Sequence, residues 1–477
     1  MKEHLLILLF VGIYTNSLSQ NYHAIHGSGH VSSLNVANNP GSVVHSPYKW
    51  DLALFGTQVK SATNAFTIHD YSLLSSPANA AWELNAGEFA RRADINTNTN
   101  LLNTRISLSR TKAIAFGANL RSYTRLRTSS FNFIDTLQTI TNFFVINPNT
   151  TSYEANVLSS SWIELFGTYG QTVIDNDKER LNAGITLKIS RGISGGFARV
   201  QNINIARVPQ PGGAGYQAIS GAVSYGYSSN YDPWISDSTQ KFMDFLTHTQ
   251  GGISFDLGVE YLIKTQAVNT FYDDEDYYEY DWKIGVSVLD IGFNRYTYGR
   301  ESGAAAGPRA NLTNTEMENK FSDVRGFPAF RDSLATVVTN FRGLGGKFTI
   351  INPMRLVINA DRYIKNNFYL NAELSVNLSP LAGDQRFFAR ELTFLTVTPR
   401  WEKPNLGAYL PVQYNNAGKF WVGAAVKAGP LLLGVHNLAN VFSKNKMQNG
   451  GGYLAILLHP WKKNESKVDK RLDCPDQ

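Results

Sequence analysis

Residues 368–378 read FYLNAELSVNL. Apolar Phe368, Leu370, Ala372, Leu374, Val376 and Leu378 alternate with Tyr369, Asn371, Glu373, Ser375 and Asn377, all able to hydrogen-bond. Period two means a β-strand with one greasy face and one wet face. A soluble sandwich packs the greasy face into a core, whereas a transmembrane barrel turns it to lipid and lines a lumen with the polar face. The rest of the chain has to choose.

Composition leans towards the barrel. Charged residues make up 17% of the 477 positions, below the roughly 25% of ordinary soluble domains. Aromatics reach 12%, with 27 Phe and 23 Tyr against 8 Trp. A mean hydropathy of −0.22 is too polar for a bundle of membrane helices, yet suits a wall whose two faces cancel. No run of 18 apolar residues follows the N-terminus. The net charge of +6 is spread thinly before the tail, which gives nucleic-acid binding no support.

The N-terminus reads as an export signal over residues 1–19. Met1-Lys2 precedes an apolar run at 5–13, and Ser17-Leu18-Ser19 places small residues before Gln20. Export points to the outer membrane of a Gram-negative cell. Cys474 is the single cysteine, so no intramolecular disulfide or cysteine-rich metal site is available.

The alternation of residues 368–378 recurs at 113–127, 180–190, 253–263, 282–288, 406–414 and 420–428. A tilted spanning strand takes about 9–11 residues, and most of these runs match it. Short connections such as Ala428-Gly429-Pro430 alternate with long ones such as 300–346, the asymmetry of outer-membrane barrels. The expected fold is therefore all-β, a transmembrane antiparallel barrel of about 14 strands (12–16) over residues 50–461, with helices in its loops or lumen. Residues 462–477 form a polar periplasmic tail. Two helices are expected, at TQKFMDFL (239–246) and at PANAAWELNAGEFARR (77–92).

Residues 20–49 break the pattern, being polar and turn-rich, with Asn38, Asn39, Pro40 and Gly41 before the first strand. Asn-Pro-Gly favours a defined turn, and Leu34, Val36, Val43 and Val44 give the segment something to bury. A hatch folded into the lumen is expected in preference to a periplasmic leader. The polar face of the strands points Arg105, Arg121, Arg125, Arg127, Lys188, Asp256, Glu260, Asp361 and Glu373 into the lumen. Charges there have to be paired or hydrated. They clamp a hatch or line a path, with Arg121, Arg125 and Arg127 expected to hold the hatch backbone.

Asn39-Pro40-Gly41 resembles the Asn-Pro-Ala hatch motif of FadL-like (long-chain fatty-acid transporter) barrels, with glycine in place of alanine. ISFDLGVEY (253–261), GVSVLDIGFNRY (285–296) and FWVGAAVKAGPLLLGVHNL (420–438) resemble an uncharacterised family of Bacteroidetes outer-membrane barrels. That family is similar to FadL-like proteins and to the shuttle barrel of type IX secretion. Asp290-Ile291-Gly292 suits a tight turn.

No enzymatic signature is present: there is no Gly-x-Ser-x-Gly elbow, HExxH or phosphate loop. No catalytic residue, cofactor or metal is expected. His23, His26 and His30 sit near Gly27 and Gly29, which oppose a helix, and read as solvated loop histidines. Asp273, Asp274, Glu275 and Asp276 lack the spacing of a calcium loop and read as a solvated acidic run. The resemblance implies porin-like passive passage of small hydrophobic compounds. The alternative is an outer-membrane scaffold or secretion accessory, binding partner proteins at its external loops.

Overall fold

The structure is a computed structural model and describes residues 22–72, 75, 80–136, 139–147, 152–210, 213–233, 249–264, 279–383, 386–416, 418–442 and 446–460. The export signal at 1–19, the helix at 239–246, the acidic run at 273–276 and the tail with Cys474 lie outside them.

Fourteen staves run antiparallel around one barrel. The first five are β1 (Trp50–Thr63), β2 (Gly87–Ser107), β3 (Lys112–Phe133), β4 (Tyr153–Asp175) and β5 (Glu179–Gln210). The next three are interrupted: β6 (Gly213–Tyr227, Gly251–Ile263), β7 (Trp282–Thr297, Gly303–Pro308) and β8 (Val338–Gly343, Lys347–Ile351, Arg355–Lys365). The low side follows, with β9 (Phe368–Asn377), β10 (Phe394–Glu402), β11 (Leu406–Tyr409, Val412–Asn415), β12 (Phe420–Val422, Ala424–Ala428), β13 (Leu431–Val435) and β14 (Asn449–Gly450, Gly452–Leu458). Closure comes from β14 pairing with β1, in a register that sets Leu52 opposite Leu458.

The stretch 368–378 shows how the wall is oriented. Phe368, Leu370 and Leu374 are 51%, 41% and 37% exposed, while Asn371 and Glu373 are buried. Neighbouring staves repeat this with Leu395, Val397, Val412, Ile358 and Ile284 outside. So continuous an apolar exterior has no place in water, and it meets lipid. Trp282 and Phe368 lie at the short-turn end, and Tyr414 and Phe420, with ring centroids 4.7 Å apart, at the other. Aromatics belong at those two interfaces.

β9 and β10, of 10 and 9 residues, match the membrane. β4 and β5, of 23 and 32, overrun it and project from the long-loop end. There Asn314–Phe321 and Gly326–Val337 form helices that pack on β6 and β7 around Tyr225, Ala305, Leu312, Leu334 and Val337. The 300–346 connection is thus a folded external layer rather than a loop.

Two expectations are corrected. Residues 80–92 are extended rather than helical: Ala81–Leu84 pairs with Phe66–His69, and β2 starts at Gly87. Strand pairing, with Phe66–His69 for 81–84 and with β3 for 87–92, satisfies this backbone, which outweighs the modest helix preference of its alanines. Asp290 is not in a turn either. It sits mid-strand in β7 at a bulge, with φ of 60° and a register skip between Val288 and Ile291. The bulge turns the Asp290 carboxylate inward.

Candidate functional site

Residues 22–48 lie inside the barrel. They form short helical turns at Gly29–Val31, Ser32–Asn35 and Pro40–Val44. Tyr22, Ala24, Ile25, Val31 and Leu34 pack against Ala53, Tyr409, Leu432, Tyr453, Ala455 and Leu457 of the wall. Val36, Val43 and Val44 pack against Ala113, Ala115 and Phe166.

Asn38, Asn39, Pro40 and Gly41 face the opposite side, and their contacts explain the residue types. The Asn39 side chain accepts from Gly41 N at 2.9 Å and donates to Val259 O at 2.9 Å. It thereby caps its own turn and ties it to β6. Ser287 donates to Asn38 O at 2.6 Å. The wall is notched to admit this turn. Gly184 and Gly258 lie directly opposite each other in the β5–β6 pair. A Cβ on Gly184 would sit 2.3 Å from Pro40 O, and one on Gly258 would sit 2.2 Å from the Asn39 side chain.

Elsewhere wall side chains bond the segment's backbone. Arg105 donates to Val43 O at 2.8 Å and Tyr48 O at 2.5 Å. Lys283 donates to Gly27 O at 2.5 Å, and Arg400 donates to the same carbonyl at 3.2 Å. Gly27 has a φ of 91°, and a Cβ there would lie 2.6 Å from the Asn371 amide. Asp51 accepts from Ser33 N at 2.5 Å. Glu373 receives both His23, at 2.9 Å, and His26. A space of about 10 Å³ lies between His45, Asn39 and Lys283, close to the minimum for one water.

The nine inward charges fall into three groups. Arg105 and Glu373 hold the segment. Arg121 pairs with both Asp290 oxygens, at 2.5 and 2.7 Å, and Lys188 bridges Asp290 and Asp256 at 2.7 Å each. Asp361 takes Arg400 at 2.7 Å through both oxygens, and Glu260 faces Lys283 at 3.9 Å. The third group stands nearer the external mouth. Arg127 pairs with Asp94 at 2.8 and 2.6 Å, and the Arg125 guanidinium lies 5.0 Å from the Phe388 ring. The expectation that Arg121, Arg125 and Arg127 grip the segment is therefore corrected. Their guanidiniums serve carboxylates and a ring higher on the wall.

The histidines are corrected as well. His23 and His26 are buried and His30 is half-buried beside Tyr48, at 3.0 Å. His23 and His26 lie in turns and His30 in the short helical turn Gly29–Val31, and it is the surrounding wall that covers them. Burial lowers the His30 imidazole to about 4 and pushes His45 well below the ordinary range, with Lys283 and Arg180 reinforcing the second. His23 is lowered too, by burial first, with Glu373 opposing. Among the described residues no cluster of three or more metal-ligating side chains occurs.

Three comparisons with known proteins bear on this architecture. Residues 40–436 match the family described as "Family of unknown function (DUF5723)". The chain belongs to this family. No curated protein sequence matches it. Among solved structures, a Pseudomonas aeruginosa FadL homologue aligns over 93% of this chain and 98% of its own, at 9% identity and a TM-score of 0.38. The Ralstonia pickettii toluene transporter TbuX covers 93% and 98%, at 11% and 0.36. A mutant of the monoaromatic hydrocarbon channel TodX covers 93% and 95%, at 12% and 0.36.

Several residues that build the site carry no sequence signal of their own. Lys60, paired with Glu391 at 2.6 Å, and Glu402, which accepts from Ser28 at 2.5 Å, are like Lys283 and Arg400 single charges in alternating strands or loops. Gly184 and Gly258 look like any strand glycine until the turn facing them is placed.

Proposed function

We propose that the protein is a gated passage of the outer membrane, with residues 22–48 as a movable hatch and small hydrophobic compounds as cargo. The observation that carries this reading is the notch at Gly184 and Gly258, which receives Asn39, Pro40 and Gly41 and holds them by side-chain hydrogen bonds rather than strand pairing. Elsewhere the segment is seated by apolar packing at Ile25, Leu34 and Val43 and by hydrogen bonds, each worth on the order of 1 kcal/mol net, contacts that can be released one at a time. Beneath the external mouth Tyr123, Trp162, Phe197, Tyr296 and Phe348 form an aromatic cluster suited to apolar guests.

A second reading, a scaffold that holds partner proteins, draws support from the external layer. The β5–β6 hairpin and two helices stand beyond the membrane, where Ile219 and Val145 are 61% and 50% exposed. Purification from native outer membranes, with lipid extraction and protein staining, separates the two. A co-purifying apolar compound without a stoichiometric protein supports passage; a stoichiometric protein without any such compound supports the scaffold.

A further inference from the structure

At the external mouth a cavity of about 230 Å³ opens between the ends of β1, β2 and β3 and the segments around Arg390 and Lys419. Arg92, Arg127, Arg390 and Lys419 line it, against a single carboxylate, Asp94. That carboxylate is already engaged on both oxygens by Arg127, at 2.8 and 2.6 Å. Neither Arg390 nor Lys419 has a hydrogen-bonded or ionic side-chain partner among the described residues. Burial, and then the nearby Arg127, lower the affinity of Arg390 for its own proton. Two further guanidiniums stand behind: Arg125 over Phe388 and Arg199 over Phe387, each with a buried Nε lacking any hydrogen-bond partner.

This surplus is local. Deeper in the lumen Arg121, Lys188, Arg400 and Lys60 each meet a carboxylate within 2.7 Å. Guanidinium and ammonium groups converging on an enclosed space are the donor set for an oxyanion, which guanidinium groups engage through paired hydrogen bonds. The volume equals that of about eight waters in the liquid, and is below the roughly 300–1,000 Å³ of a pocket for a whole drug-sized ligand. It suits a phosphate, sulfate or carboxylate group rather than a hydrocarbon chain.

We propose that this cavity is a recognition site for a small oxyanion presented from outside, with Arg390 and Lys419 as its free donors and the Arg127–Asp94 pair as its floor. Such an anion is either free or the head group of a larger molecule. Binding needs no movement of residues 22–48, so the passage reading and this one stand or fall separately.

The test is calorimetric titration of inorganic phosphate into the full barrel in zwitterionic detergent at low salt. The same titration is repeated with butyl phosphate. Wild type is expected to bind phosphate, and R390Q/K419Q to weaken binding about tenfold or more, the 1.4 kcal/mol of one decade. R309Q, which removes an exposed cation on the external layer, is expected to leave the affinity unchanged. Tighter binding of butyl phosphate assigns the site to a head group, and equal binding assigns it to the free ion. K419Q alone is measured in parallel as the variant least able to disturb folding. Absence of phosphate binding by wild type, or an affinity that ignores both Arg390 and Lys419, overturns the proposal.

Discussion

Around residues 22–48 the wall sets Arg400 against Asp361, Lys60 against Glu391 and Glu373 against two histidines, whereas four cations at the external mouth share Asp94. The first region is closely packed, with a space of only about 10 Å³, whereas the second encloses about 230 Å³. Charges in the closely packed region fix one arrangement, because each is tolerable only with its partner in place. At the mouth Arg390 and Lys419 face open space instead of a carboxylate partner, which leaves them available to a ligand.

The largest effect is expected from breaking a matched pair. D361N leaves Arg400 buried opposite an amide and should destabilise the barrel by about 3–5 kcal/mol, read from urea unfolding in lipid. R390Q, at the mouth, should change the same measurement little. Equal effects of the two would erase the contrast.

The second prediction concerns which side of the wall is wet. L374R places a cation on the lipid face of β9 and should cost about 2–4 kcal/mol near the midplane. S375R, on the lumen face, should be milder. If bilayer-folded protein tolerates both equally, the assignment of the two faces is wrong.

Acid sharpens the comparison from the side of residues 22–48. His23, His30 and His45 are held below their ordinary value of 6.5 by burial, His30 to about 4. The unseated segment therefore binds more protons than the seated one between those two values. Seating is strongest above pH 6.5 and weakens as pH falls towards 4. Glu373 and Glu391 beside His23 and Glu402 beside His30 oppose the trend, while Lys283, Arg180 and Arg105 around His45 favour it. Protease cleavage within residues 22–48 should rise across that window and rise less in H30Q/H45Q. Constant protection would remove the pH dependence from the account.

The smallest effect belongs outside the barrel. Arg309 and Glu316 form an ion pair at side-chain exposures of 49% and 34%. R309A should shift unfolding by less than about 1 kcal/mol, since water screens such pairs.

The barrel was legible because alternation and strand length are local properties. Phe368 to Asn377 carry both, and the facing of Leu374 and Glu373 follows from one strand alone. The placing of the nine charges on the polar face of their strands rests on the same alternation. Their partners were not. Arg121 meets Asp290, 169 positions away, only because a bulge in β7 turns that carboxylate inward, and a strand pattern does not reveal a bulge. Asn39, Pro40 and Gly41 announce a turn, but its seat is formed by two glycines brought opposite each other by pairing of β5 with β6. Arg390 and Lys419 belong to connections, where no periodicity assigns a direction.

The hatch is the central claim, and conductance tests it most directly. A barrel of 14 staves without residues 22–46 is wide enough to admit water. In planar bilayers the deletion variant should insert as a folded barrel with ion conductance well above that of the full chain. G258V, which leaves the segment in place but fills its notch, should give an intermediate rise. Unchanged conductance in a correctly inserted deletion variant would contradict the account.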